Sequence, residues 1–354
     1  MSEGAIPESV RAAWSVLQDG FEVEPGATGL LHHTLRLSTT AGERFVLQRV
    51  SDVFAPAIQD NIAAVTTHLA ARGFPTFRLV LTREGATSLD LAEGGRWRLL
   101  TRLDGVSFHR VQSARQVRTA AELVGRFHAA LDDFEAPLAP MGLPFRDTAL
   151  YRRGFVAALE EHAEHRRHAD VSALARRIDA AFEALGPAPA TRERVIHADL
   201  KISNVLFAGE AAPERDVATA LIDFDTLMRA PLWSEWGDAW RSWCNPREED
   251  ERAATFDLSY FAASVDGIAA GLTGEIAADE RDALVDATER IALELATRYA
   301  TDALEERYFA WDSERFDDAA AHNLLRAEGQ LSLYEAARAT REQRRRILTE
   351  RLPV

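Results

Sequence analysis

The spacing of apolar residues changes once along the chain. In about the first hundred positions the apolar runs are short and bounded by turn residues; beyond them apolar residues recur every three or four positions over long stretches. Val10, Ala13, Trp14 and Leu17 fit one helix over 5–17. Segments 21–23, 30–37, 44–50, 77–81 and 97–101 read as strands, with a turn PGATG after the first and a hairpin carrying Gly85, Gly94 and Gly95 before the last. Pro56 opens a helix to position 71 that carries Ile58, Ile62, Val65 and Leu69 on one face. Arg102 to Gly105 reads as a hinge. Helical patterns then cover 117–131, parts of 146–185, 253–271, 277–304 and 319–348. Trp233, Trp236, Trp240 and Trp243 form a stripe at helical spacing and read as core. His128 reads as a core histidine on the same argument.

Two polar clusters interrupt the pattern. Residues 195–207 read VIHADLKISNVLF, and residues 220–225 read ALIDFD. The spacing H-x-D-x-K-x-x-N followed by a strand and an Asp is the one kinases use for phosphoryl transfer, a reaction that needs alignment and charge neutralisation more than covalent help. Asp199 is placed to accept the proton of an attacking hydroxyl, and Lys201 to neutralise the transferring phosphate. Asn204 offers Mg²⁺ a neutral oxygen and Asp223 an anionic one. His197 reads as a holder of the loop, and Asp225 as a brace. A strand-turn-strand with polar turn residues accounts for H-x-D alone but not for the whole set.

At these residues the chain resembles the aminoglycoside phosphotransferase and choline kinase superfamily, and within it the N-acetylhexosamine 1-kinases. GLLHHT at 29–34, RFVLQRVSDVF at 44–54, DNIAAVTTHL at 60–69, IDFDTLMRAPLWSEWGDAWRS at 222–242 and HNLLRAEGQLSL at 322–333 carry the resemblance across nearly the whole chain. It implies a bilobal, protein-kinase-like α+β fold. An N-lobe of antiparallel sheet plus helix, residues 1–103, would bind nucleotide; a mainly helical C-lobe, residues 104–354, would carry the catalytic loop and the acceptor site. ATP and Mg²⁺ are the implied cofactors. Gly29 would lie in the loop over the phosphates, and the backbone at Leu103 would pair with adenine. The implied acceptor is a small-molecule hydroxyl near Asp199, a sugar taken at its anomeric oxygen. Arg298, Tyr308 and Phe309 fall at places similar to those where the family contacts its sugar; read alone, each is equally helix surface or core. Asp238 falls where the family braces its catalytic loop. Where the family often carries a His after the N-lobe glycine, this chain has Leu30, with His32 and His33 displaced. A kinase for another hydroxyl compound, such as an aminoglycoside or amino alcohol, is the main alternative. A pseudokinase is the other, and the intact Asp199, Lys201, Asn204 and Asp223 weigh against it.

Kinases hold the nucleotide phosphates with a lysine on the third strand, and here that strand reads RFVLQRV, without one. Alignment by the preceding apolar residues gives Gln48 the lysine's place. Alternation puts Phe45, Leu47 and Arg49 on one face, whose larger apolar groups suit the cleft, and an Arg fork suits phosphate better than an amide. Arg49 is therefore the expected phosphate contact.

The chain has 354 residues, 47% hydrophobic, enough for a large core or two lobes. Cys244 is the one cysteine, which excludes an internal disulfide and suits a reducing compartment. A formal net charge of −15 argues against a nucleic-acid partner. Every long apolar run is broken by charge, so no membrane partner is expected, and neither is a secretory leader. The expected location is cytoplasmic, the expected assembly a monomer or simple homodimer. The charged stretch EHAEHRRHAD at 161–170 and the cluster Arg341, Arg344, Arg345, Arg346 read as solvated.

Overall fold

The computed structural model describes residues 6–24, 32–247, 250–273, 276–352 and 354. Helix α1 (Glu8–Ala13) stops short of the position expected for it. Trp14 turns extended there: its indole N–H donates to the Val80 carbonyl at 2.7 Å, and the Ala13 carbonyl accepts the Arg83 N–H at 2.8 Å. Strands β1 (Phe21–Glu24), β2 (His33–Thr39) and β3 (Arg44–Val50) follow, then helix α2 (Ile58–Ala71) and strands β4 (Leu79–Val80), β5 (Leu89–Leu91) and β6 (Gly95–Thr101). They pair antiparallel in the order β1-β2-β3-β6-β4, with β5 also on β6.

Both faces of this sheet are covered. Leu35, Leu37, Phe45, Leu47, Trp97 and Leu99 share one face and bury against Val10, Trp14 and Leu17. Val46 and Leu100 look the other way, onto Ile62, Val65 and Leu69 of α2 and the core that continues into the helical part. Each fully buried side chain of this size contributes roughly 1.5–3 kcal/mol of transfer free energy.

The rest of the chain forms α3 (Ala114–Ala130), α4 (Thr148–Glu161), α5 (His168–Leu185), β7 (Glu193–Ile196), β8 (Val205–Phe207), β9 (Ala218–Leu221), β10 (Met228–Pro231), α6 (Leu232–Trp243), α7 (Leu258–Gly271), α8 (Ala278–Ala283), α9 (Ala287–Glu305), α10 (Ala319–Ala339) and α11 (Arg341–Arg351). Two antiparallel pairs, β7 with β10 and β8 with β9, carry the polar clusters, while α7 packs along α3 and α10 along α9. The connection from the sheet passes β8, where Val106 and Phe207 exchange backbone hydrogen bonds at 2.8 and 2.9 Å. Gly105 permits this approach: its φ is 144°, and a Cβ there would meet the Leu206 side chain at 2.8 Å. Leu103, in the same connection, is partly buried against the main core.

The helical part corrects several expectations: the helix read from 253 begins at Leu258, and the one read over 277–304 is interrupted by a 3₁₀ turn at Leu284–Asp286 between α8 and α9. The helix read over 319–348 breaks at Thr340. The break turns Arg344 inward, where it is fully buried, paired with Glu289, donating to the carbonyls of Val285 and Ala337, and set against the rings of Phe256 and Phe261. It is not one of a solvated cluster. Trp236, Trp240, Trp243 and Cys244 are buried, and Trp233 partly so, its indole N–H donating to the Pro189 carbonyl at 3.1 Å. His128 is buried as expected, 3.4 Å from Glu235, although neither ring nitrogen makes a hydrogen bond. Among the described residues no helix is long and apolar enough to cross a membrane.

Candidate active site

The link from β7 to β8 is held from behind by α6. Glu235 and Asp238 lie three residues apart on the buried face of that helix. The Glu235 carboxylate accepts the N–H groups of His197 and Ala198 at 2.9 and 2.8 Å, and Asp238 accepts that of Leu200 at 2.9 Å. Gly237 between them lets α6 lie directly on α9, since a Cβ there would sit 2.5 Å from the Ala287 carbonyl oxygen. Arg146 completes the brace. It donates to the Ala198 carbonyl at 2.7 Å and pairs with Asp238 at 2.8 Å. Burial works to lower the Arg146 pKa, but the carboxylates of Asp238 and Glu294 outweigh it and hold it raised. Such fixing is needed because Ala198 has φ 68°, a left-handed conformation costing a residue with a Cβ about 1–2 kcal/mol.

His197 does hold the loop. Its Nδ1 accepts the Asp199 N–H at 3.3 Å, so Nε2 carries the proton it donates to the Ile222 carbonyl at 2.8 Å. This bond ties the loop to the end of β9. On the same side, the Ile222 N–H donates to the Asn204 carbonyl at 3.0 Å, and Val205 pairs with Leu221. The two sequence clusters are thus one site.

In that site, Oδ2 of Asp199 receives the Lys201 ammonium at 3.0 Å and the Asn204 amide at 3.1 Å. Among the described residues nothing bonds its Oδ1. Burial lowers the Lys201 pKa, but Asp199 and Asp223 more than offset this, so it stays charged. Asn204 spends its N–H donors on Asp199, and among the described residues nothing bonds its side-chain carbonyl. Asp223 has φ 69° and ψ 60°, again left-handed, and its side chain is exposed. Although its side chain reaches solvent, desolvation by the protein packed on its inner side and the like charges of Asp225 and Asp199 push its carboxyl up, and Lys201 opposes the rise. Asp225 is the reverse: burial raises its pKa, but the Arg98 guanidinium and hydrogen bonds from His32 and Arg98 hold it well below the usual carboxylate range. Side-chain ligand atoms of His32, Asp223 and Asp225 lie within 4.8 Å of one another. Because Asp225 is already paired, the oxygens offered to a divalent cation are those of Asp223 and Asn204. They are hard, and one is anionic, which fits Mg²⁺.

Across the loop, Phe145 precedes Arg146, and Arg298 of α9 stands among four rings. Its guanidinium carbon is 5.7 Å from the ring centre of Phe145, 4.9 Å from Tyr151, 5.5 Å from Tyr308 and 5.4 Å from Phe309. Its hydrogen bond is to the Tyr308 hydroxyl at 3.2 Å, and among the described residues it has no carboxylate partner. Burial pushes the Tyr151 phenol up to about 12. Buried Asp302 sets the loop, accepting the N–H groups of Arg307, Tyr308 and Phe309 at 2.9, 2.8 and 2.8 Å. Arg298, Tyr308 and Phe309 are therefore brought together.

The sheet side corrects the strand reading. The face carrying Phe45 and Leu47 packs on the N-terminal helix, and Arg49 on that face is exposed, its guanidinium beside Gly95. Gln48 points the other way and accepts from Arg98 at 2.8 Å. Gly29 lies outside the described residues. Sequence reasoning passed over Glu235, Arg146, Arg98, Tyr151 and Asp302. Only Glu235 carried a signal: a carboxylate one turn before Asp238, among tryptophans that mark a buried helix face.

The sequence model described as "Phosphotransferase enzyme family" matches residues 22–270 of the chain. The fold is similar to an aminoglycoside phosphotransferase from Alicyclobacillus acidocaldarius (TM-score 0.58, 18% identity, 97% of this chain and 98% of that one). It is also similar to a microcompartment-associated aminopropanol kinase (0.61, 16%, 94% and 97%). A third similar structure is an amicoumacin kinase in complex with AMP-PNP, Ca²⁺ and amicoumacin (0.61, 13%, 91% and 91%).

Proposed function

Because the chain belongs to the phosphotransferase enzyme family, we propose that it moves the γ-phosphoryl group of ATP, as the Mg²⁺ complex, to a hydroxyl of a small molecule, and that the acceptor is a sugar taken at its anomeric oxygen. Asp199 Oδ1 accepts the hydroxyl proton. Lys201 and Asn204 orient the carboxylate through Oδ2, and Lys201 offsets charge on the transferring group. Asp223 and Asn204 are the residues that would hold Mg²⁺, which would supply charge neutralisation for the transferring group.

The observation that carries the acceptor class is the Arg298 cluster. Aromatic cages attract ligand cations through their ring faces. Here the rings already surround a protein cation, so a cationic aminoglycoside or amino alcohol meets like charge. A neutral sugar finds spare guanidinium donors and ring edges instead. Its link through Phe145 and Arg146 to the loop that carries Asp199 supports reading the cluster as the acceptor side. An ADP-release assay over free hexoses, N-acetylhexosamines, their 1-O-methyl glycosides and aminoglycosides tests this. Turnover is expected with reducing sugars and not with the methyl glycosides. Turnover of methyl glycosides or of aminoglycosides at comparable rate would overturn it.

A further inference from the structure

Arg98 is 2% exposed, lies opposite Gln48 in the β3–β6 register, and spans from the sheet to the loop that carries Asp223. Its Nε donates to Gln48 at 2.8 Å and Nη1 to Gln59 of α2 at 3.2 Å. Nη1 and Nη2 grip the two oxygens of Asp225 at 2.6 and 2.7 Å. His32 adds a further bond to Asp225 at 3.1 Å, and its Nδ1 accepts the Ser51 N–H, so Nε2 is the protonated nitrogen. Asp225 is thereby tied to β6 and to the entrance of β2, two residues after the left-handed Asp223. A strained turn of this kind persists only where its surroundings over-determine it, and the side chain of Asp225 is the group through which the sheet does so.

We propose that Arg98 is a positioning residue for the cation-binding carboxylate: acting through Asp225, it fixes the Asp223 turn from the sheet, in a chain whose third strand has Gln48 in place of the lysine. This rests on the reading of Asp223 as a Mg²⁺–nucleotide ligand. Arg98 need not touch phosphate, since at most one of its five N–H groups is left uncommitted.

The test is calorimetric titration of the full chain with AMP-PNP, with and without Mg²⁺, on the wild type, Arg98→Met, Arg98→Lys, Asp225→Asn and the Arg98→Met/Asp225→Asn pair, with melting curves alongside. The Mg²⁺-dependent gain in affinity is expected to fall about tenfold or more in Arg98→Met, as for other residues that orient a metal ligand. Metal-free affinity should stay within about twofold, since Arg98 acts only on the cation site. Arg98→Lys should recover part of the gain, because an ammonium keeps the charge but not the fork. The double variant should lose no more than Arg98→Met, because the two residues act through one pair. An Arg98→Met variant that melts lower but keeps the full Mg²⁺-dependent gain would make the pair purely structural and overturn the proposal. If Arg98→Met does not fold, Arg98→Lys decides by the same comparison: a full gain overturns, a reduced one supports. A wild-type chain that binds no nucleotide overturns the kinase reading and this inference with it.

Discussion

Arg98 grips Asp225 on one side of the candidate site, Arg298 stands against Phe145 beside the Arg146 that holds Ala198 on the other, and the two are held in opposite ways. Arg98 is buried, with its donors committed to Asp225, Gln48 and Gln59. Arg298 is half-buried, ringed by four aromatic groups and, among the described residues, bonded to the Tyr308 hydroxyl alone. A buried guanidinium with its partners in place holds structure: removing it leaves a buried carboxylate unpaired. A guanidinium with donors to spare and, among the described residues, no ion-pair partner is available to a ligand. The same residue type is thus held by a buried carboxylate in one place and by aromatic rings in the other.

Four substitutions probe that contrast. The largest effect on stability is expected of Arg98→Met, about 3–5 kcal/mol in denaturant unfolding, because the buried Asp225 charge would keep only its hydrogen bond with His32. A loss no greater than that of an ordinary surface substitution would collapse the distinction between the two arginines. Asp199→Asn provides the reference for chemistry: turnover should drop about a hundredfold or more, with nucleotide affinity unchanged, as for loss of a general base. Near-normal turnover in steady-state assays would remove Asp199 from the mechanism. Arg298→Ala should raise the acceptor KM about tenfold, the scale of a charge-assisted contact. Its unfolding free energy should move by no more than about 0.5 kcal/mol. A stability loss with unchanged KM would make Arg298 a second Arg98. Smallest of all, Arg49→Ala should leave the ATP KM within about twofold and stability within about 0.5 kcal/mol, since its side chain lies exposed on the outer face. A tenfold rise would mean the sheet face had been assigned wrongly.

The amino-acid sequence alone was enough for whatever depends on short spacing. His197, Asp199, Lys201 and Asn204 share one loop, so their offsets bring them together; Asp223 follows a neighbouring strand, two residues from Asp225. Strand β3 and helix α2 were legible because periodicity is a local property. What the sequence could not supply was direction. Alternation divides β3 into two faces but does not say which looks into the cleft, and here both are apolar: one meets Trp14, the other α2. The size argument therefore chose the wrong face and with it Arg49. The pairing of Arg98 with Asp225 joins residues 127 positions apart, and the Arg298 cluster gathers rings from 145, 151, 308 and 309. Arg344, similar to its basic neighbours in sequence, is buried because the helix breaks at Thr340 and turns it onto Glu289. Such pairings depend on how elements pack, and no local pattern in one sequence encodes which two distant side chains will share a desolvated space.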